Sequence, residues 1–176
     1  MLCTLMQGEK TINTRTMHIF FDTEFTGLTD DAKLISIGFV TQGGQEFYAE
    51  LEDTYTINDC SEFCRMEVLP HLEGGLICMP LALVRTTLGE WLAACGPNAV
   101  LICDSPRDVS QFNELFPQGP PATVSLRVLG WWGNLQRRIL NRGRRMHHLL
   151  GLRVHHALDD ARVNKLILSR SYNPLL

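Results

Sequence analysis

The succession of elements along the chain predicts an α/β domain in which helices cover both faces of one mixed sheet. Three observations carry this. Three strand-like runs follow one another between Met17 and Leu51; Ala99-Val-Leu-Ile-Cys103 is a continuous apolar run of the kind found in buried parallel strands; and helical stretches alternate with strands after Leu81. The 176 residues, 45% of them hydrophobic, suffice for one domain with a substantial core and would be cramped as two.

Met1 to Thr16 is polar and aperiodic, so residues 1–16 are expected to be a disordered leader, or a product of start-site choice, ahead of a single domain at 17–176. Ile19, Phe20 and Phe21 form an apolar aromatic strand, Leu34 to Val40 a second, and Gly43-Gly44 turns the chain into a third at Glu46 to Leu51. Together they predict an antiparallel meander. Ser61 to Leu72 has apolar spacing at Phe63, Met66 and Leu69 and is expected to be a short covering helix limited by Pro70 and Gly74-Gly75. Leu81 to Cys95 carries Leu81, Val84, Leu88, Trp91 and Leu92 on one helical face and ends at Gly96-Pro97. After the strand Ala99 to Cys103, Pro106 suits the first turn of a helix reaching about Phe116. Thr123 to Leu129 reads as a fifth strand, Trp131 to about Leu150 as helical with an interruption at Gly143, and Ala157 to Ser169 as the closing helix.

Charge and composition narrow the function. Net charge is -3, so any grip on phosphate must come from a local cluster. The dense basic run is Arg137, Arg138, Arg142, Arg144 and Arg145, with His147 and His148 beyond; it reads equally as a phosphate contact or as a solvated helix face. Trp131 and Trp132 are candidates for stacking on bases, although core packing is the more ordinary role. No stretch approaches the roughly 20 apolar residues of a membrane span, and residues 1–17 lack a signal-peptide core, so the expectation is a cytoplasmic protein with no membrane partner.

The chemistry centres on Asp22 and Glu24. Two apart on a strand, they project from the same face, and like charges that close repel unless a cation lies between them. Oxygen-only ligands on a rigid element suit Mg2+ or Mn2+, which in pairs serve phosphodiester cleavage. Asp104 follows the apolar strand, Asp108 lies in the opening turns of the next helix, and all four acids fall at carboxyl ends of strands, where α/β sheets gather ligands. In His155-His156-Ala-Leu-Asp-Asp-Ala161 only one acid can face inward. Helical geometry puts Asp160 on the side of Ala157, Asn164 and Ile167, and leaves Asp159 at the helix N-terminus.

Asp22-Thr-Glu24 followed by Phe25-Thr26-Gly27-Leu28, an internal Asp at a helix start, and His155 four residues clear of Asp160 together resemble the DEDDh exonucleases, the family of RNase T, oligoribonuclease and the proofreading exonucleases. The resemblance covers nearly all of the chain from Met17 onward. It implies an RNase H-like, five-stranded mixed sheet, and two Mg2+ or Mn2+ ions held by Asp22, Glu24, Asp108 and Asp160. It also implies His155 as general base, and Phe25, Thr26 and Leu28 holding the terminal nucleotide of an RNA or single-stranded DNA 3′ end. A tyrosine-type sister group carries tyrosine at the position of His156, so the histidine-type branch is favoured, with His156 a neighbouring surface histidine. The middle motif departs from the family pattern. Asp104 stands where the family has Asn, and Arg107 precedes the acid in place of Phe, so Asp104 stays open as the ligand instead of Asp108. The expected activity is metal-dependent 3′-to-5′ release of nucleoside monophosphates, with a homodimer left open. The rival readings are a catalytically silent nucleic-acid-binding domain on the same fold and an α/β interaction module.

Overall fold

A computed structural model of the chain describes residues 16–119, 124–128, 142–143 and 145–172. The leader, Trp131, Trp132, Arg137, Arg138 and Arg144 therefore lie outside the described residues, apart from Thr16.

β1 (Met17–Phe25), β2 (Leu34–Thr41) and β3 (Glu46–Leu51) form the expected antiparallel meander. On the other side of β1, β5 (Ala99–Cys103) and β6 (Val124–Val128) add in parallel, each made of the apolar or alternating residues that suit a sheet. Five strands are expected from the sequence, but the sheet has six, in the order β4-β3-β2-β1-β5-β6. The additional strand, β4 (Cys78–Met79), is two residues long and pairs with Glu50 and Leu51 at the end of β3. A strand that short has no periodicity to read.

Alternation along β1 divides the core. Ile19 and Phe21 point to one face, where Phe39, Val84, Leu88 and Leu92 of α1 (Leu81–Ala94) and Phe112 and Leu115 of α2 (Pro106–Leu115) close over them. The Phe21 and Phe39 rings stack with centroids 5.4 Å apart, and Trp91 and Phe112 pack against Phe39. Phe20 points to the other face with Val100 and Ile102, beneath Val163, Ile167 and Leu168 of α3 (Ala157–Tyr172), which runs three residues beyond the predicted end at Ser169.

Ser61 to Leu72 is not the regular helix its spacing suggests. Cys64–Val68 is a π-type turn followed by a 3-10 turn at Leu69–His71. Pro70 has no N–H to continue an α-helical ladder, while Cys60, Cys64 and Val68 still bury against Ile35.

α3 meets the sheet at Gly38. A Cβ on this residue would lie 2.4 Å from both the nitrogen and the Cα of Leu158 and 2.5 Å from the Ala157 carbonyl carbon, so the helix start rests directly on the β2 backbone. Gly38 is the ladder partner of Asp22. Gly38→Ala is expected to cost upward of ~3 kcal/mol, beyond the usual overpacking range because the obstacle is backbone and not a movable side chain. Urea unfolding of the two chains measures this; a loss under ~1 kcal/mol would show that the helix can ride higher without consequence.

Candidate metal centre and active site

Five carboxylates converge on one cleft because three elements end there. β5 pairs only with Met17 to Phe20, so the C-terminal half of β1 runs on past its parallel neighbour with that edge unpaired. The opening is filled from α2. Ser105 caps that helix, its hydroxyl accepting the Arg107 N–H at 3.2 Å, and Pro106 occupies the first turn. Asp108, 2% exposed, is thereby turned toward β1, where its Oδ1 accepts the Thr23 N–H at 3.2 Å and the Thr23 hydroxyl at 2.8 Å. The carboxylate takes the place a neighbouring strand would have filled.

Asp22 and Glu24 project from β1 toward α3, where Asp160 waits in the first helical turn. Asp22, Glu24 and Asp160 offer oxygens within 4.8 Å of one another, and so do Asp22, Asp104 and Asp108. Oxygens on opposite sides of one Mg2+ lie roughly 4.2 Å apart, so each triad is close to the size of a single ion's shell, and Asp22 belongs to both. Neither Asp104 nor Asp108 displaces the other: the structure brings both to the cleft. The second oxygen of Asp108, Oδ2, is buried with no hydrogen-bond partner, a costly state that a cation would relieve.

Electrostatics agrees with the geometry. Burial, and then the charges of Asp108, Asp160, Glu24 and Asp104, hold the Asp22 carboxyl well above the usual carboxylate range. Glu24 is raised in the same way by burial and by Asp160 and Asp108. Burial and the Asp160 charge push Asp104 up to about 6, and burial with Asp104 pushes Asp108 up to about 8.

His155 has a backbone φ of 60°, a left-handed conformation uncommon for residues other than glycine. Its ring stands edge-on to Phe63, with centroids 4.9 Å apart, and it lines the cleft on both sides of Asp160. The loop that carries it is tied down at each end. The buried Glu50 carboxylate accepts the backbone N–H groups of Glu73 and Gly74 at 2.6 and 2.9 Å; Glu73 accepts from Arg153 at 2.8 Å; and Arg153 Nε donates to Asp159 at 2.7 Å. Asp159 is 3% exposed and also takes a 2.6 Å bond from Arg162. Burial alone would raise its carboxyl, but the two guanidinium groups hold it below the usual range.

His156 is not a surface histidine. It is 1% exposed, lies 4.6 Å from the Tyr48 ring, and its Nδ1 accepts the Asp159 N–H at 3.3 Å, serving as a cap for α3. Its Nε2 comes within 3.4 Å of Glu73 without hydrogen-bond geometry. Burial and the Arg153 charge lower its pKa, which favours the neutral ring.

His147 is the functional candidate that its sequence context misplaces. In place of joining a phosphate-binding surface it is buried, with Nε2 2.7 Å from Asp160 Oδ1. Burial would lower its pKa, but the hydrogen bond and charge of Asp160 outweigh this and raise it. Arg142, Arg145 and His148 are exposed, as a phosphate contact or a solvated face would require.

Phe25 and Leu28 line a cavity of about 580 Å³ that opens from the acids, together with Phe63, Val68, Cys64 and Ser61. Thr26 is not brought to it: the side chain is buried and accepts the Lys33 N–H at 3.0 Å, so its work is to shape the loop. Among the described residues no helix is long and apolar enough to cross a membrane. No protein-family model and no curated protein sequence matches the chain.

The raised carboxyls make a pH prediction. A native pKa above the unfolded value means that the native state holds the proton more tightly, so the stability is present below about pH 4 and is lost as pH rises through about 6 and 8. His147, also raised, tilts the curve the same way, whereas His156, lowered, opposes it only below about pH 6.5. Denaturant unfolding in EDTA should show stability falling from about pH 5 to about pH 8. Asp22→Asn should flatten that slope and raise stability at pH 8. A native chain equally stable across this range would contradict the mutual repulsion.

Proposed function

We propose that the chain is a metal-dependent 3′-to-5′ exonuclease of RNase H-like architecture, acting on the 3′ ends of RNA or short single strands. The observation that carries this reading is the sharing of Asp22 between two oxygen triads beside a histidine and a mostly apolar cavity. The strand order, with an antiparallel meander continued by two parallel strands, is compatible with the architecture that the motif resemblance implies.

Oxygen-only donors, a shared central carboxylate and the unpartnered Oδ2 of Asp108 fit Mg2+ or Mn2+. Asp22, Glu24 and Asp160 would hold one ion, and Asp22, Asp104 and Asp108 the other. When bound, such ions supply charge stabilisation for both the attacking and the leaving oxygen of the phosphodiester and acidify the attacking water.

The chain's own residues do the rest. His155 lines the cleft beside Asp160 and accepts the proton of the attacking water on an imidazole nitrogen. Phe63 fixes the orientation of that ring. Phe25, Leu28 and Phe63 offer apolar surface for the terminal base, and the cavity size lies within the range of small-ligand sites. Repelling acids this dense would be an expensive way to build a silent binding domain, which favours catalysis over that rival.

The test uses 5′- and 3′-labelled RNA and DNA oligonucleotides with Mg2+ or Mn2+. Stepwise shortening from the 3′ end is expected, abolished by Asp22→Asn, Glu24→Gln and Asp160→Asn. His155→Ala should lose ~10²- to 10⁴-fold in rate with an unchanged unfolding midpoint, whereas His156→Ala should lose stability through its cap and ring contacts. Asp108→Asn is expected to be far more damaging than Asp104→Asn, because Asp108 matches the acid of the resembling motif and its Oδ2, the oxygen without a partner, would become an amide NH2 that cannot hold a cation. Internal cleavage, or an inert native chain on every substrate, would overturn the reading.

A further inference from the structure

The helical segment 145–150 turns one side toward α3. A Cβ at Gly143 would touch Ile167 and Val163 at 3.8 and 3.9 Å, Met146 packs on the same cluster, and His147 follows one helical step further along this side. His147 is therefore driven inward by the packing of its neighbours. The Leu152 N–H donates to the His147 carbonyl at 3.0 Å, fixing the backbone as well. The side chain is 5% exposed and ends on Asp160, with 2.7 Å between Nε2 and Oδ1.

We propose that His147 is a positioning residue for Asp160, its Nε2–H fixing the carboxylate in the orientation in which it serves as a metal ligand. The inference rests on the exonuclease reading only through the assignment of Asp160 as that ligand. Both oxygens of Asp160 are engaged: Oδ1 lies 2.7 Å from His147 Nε2, Oδ2 takes the His156 backbone N–H at 3.1 Å, and the Glu24 carboxyl also reaches the group. A carboxylate held at both oxygens is restrained against rotation, and it offers an oxygen within 4.8 Å of those of Asp22 and Glu24. The role of general base is closed to His147. Although His147 lines the cleft, its Nε2 lies 2.7 Å from Asp160 Oδ1 and its Nδ1 is buried with no hydrogen-bond partner, which leaves neither nitrogen free to meet a water. The two histidines near Asp160 therefore divide the work: His147 orients the ligand, and His155 handles the proton.

Hydrogen-bond partners of metal ligands typically contribute ~10- to 100-fold in metal affinity. The test is Mn2+ binding to the full chain without nucleic acid, followed by the electron paramagnetic resonance signal of free Mn2+. His147→Gln places an amide N–H near the position of Nε2, and His147→Asn carries the same chemistry on a side chain too short to reach Asp160. Asp160→Asn serves as the reference for loss of the ligand itself. Native chain and His147→Gln are expected to agree within ~3-fold, and His147→Asn to bind one ion ~10- to 100-fold more weakly, with matching circular dichroism spectra for all. Equal Mn2+ affinity in His147→Asn and native chain overturns the proposal, as does a folded His147→Gln that binds as poorly as His147→Asn. A native chain that binds no Mn2+ removes Asp160 as a ligand and the inference with it. A native chain that binds Mn2+ yet cleaves no nucleic acid defeats the exonuclease reading while leaving the role of His147 intact.

Discussion

The direct backbone contact between the start of α3 and Gly38 of β2 is the constraint on which the site depends. Gly38 is paired across the ladder with Asp22, so the point where the helix touches the sheet is also the point where the first carboxylate leaves it. One turn into α3, Asp160 then has little choice of position. Any side chain at 38 would lift the helix and separate the two acids, which is why packing and chemistry cannot be varied independently here.

Holding five acids together works against stability, and the surrounding structure shows how this is offset. The two faces of the sheet are closed by separate apolar clusters under α1 and α2 and under α3, and aromatic packing around Phe39 anchors the first. Charged contacts that are satisfied lie beside those that are not. Asp159 sits between Arg153 and Arg162 and fixes the loop that delivers His155, while next to it Asp160 turns toward Asp22 and Glu24. Adjacent residues in sequence thus have opposite electrostatic duties. The unusual φ of His155 is the local strain this arrangement leaves, at a residue that lines the cleft.

Much of this was legible in the sequence, for identifiable reasons. The strands Leu34–Thr41 and Ala99–Cys103 and the helix Leu81–Ala94 have strong periodicity or unbroken apolar runs, and they fall where the pattern puts them. The two-residue spacing of Asp22 and Glu24 and the helical phase of Asp160 depend only on local geometry, and the structure brings all three together. Features set by tertiary context did not show. A two-residue β4 carries no pattern, and Pro70 turned a plausible helix into π and 3-10 turns. His156 reads as exposed beside a charged helix start, yet Tyr48 arrives from a distant strand to cover it. The sequence poses Asp104 and Asp108 as alternatives, although a strand end and a helix start can both reach one side of Asp22. For His147 a signal did exist: Gly143, Met146 and His147 share a helical face inside an arginine-rich run, and the small and apolar pair marks that face as inward.

The central claim is that Asp22 is common to two cation sites and Glu24 is confined to one. Isothermal titration of Mn2+ into the metal-free chain, with Asp22→Asn and Glu24→Gln titrated alongside, reads this directly. The account predicts two ions per native chain, loss of both in Asp22→Asn, and retention of one in Glu24→Gln. A single ion in the native chain, or an Asp22→Asn variant that still binds as the native chain does, would contradict it.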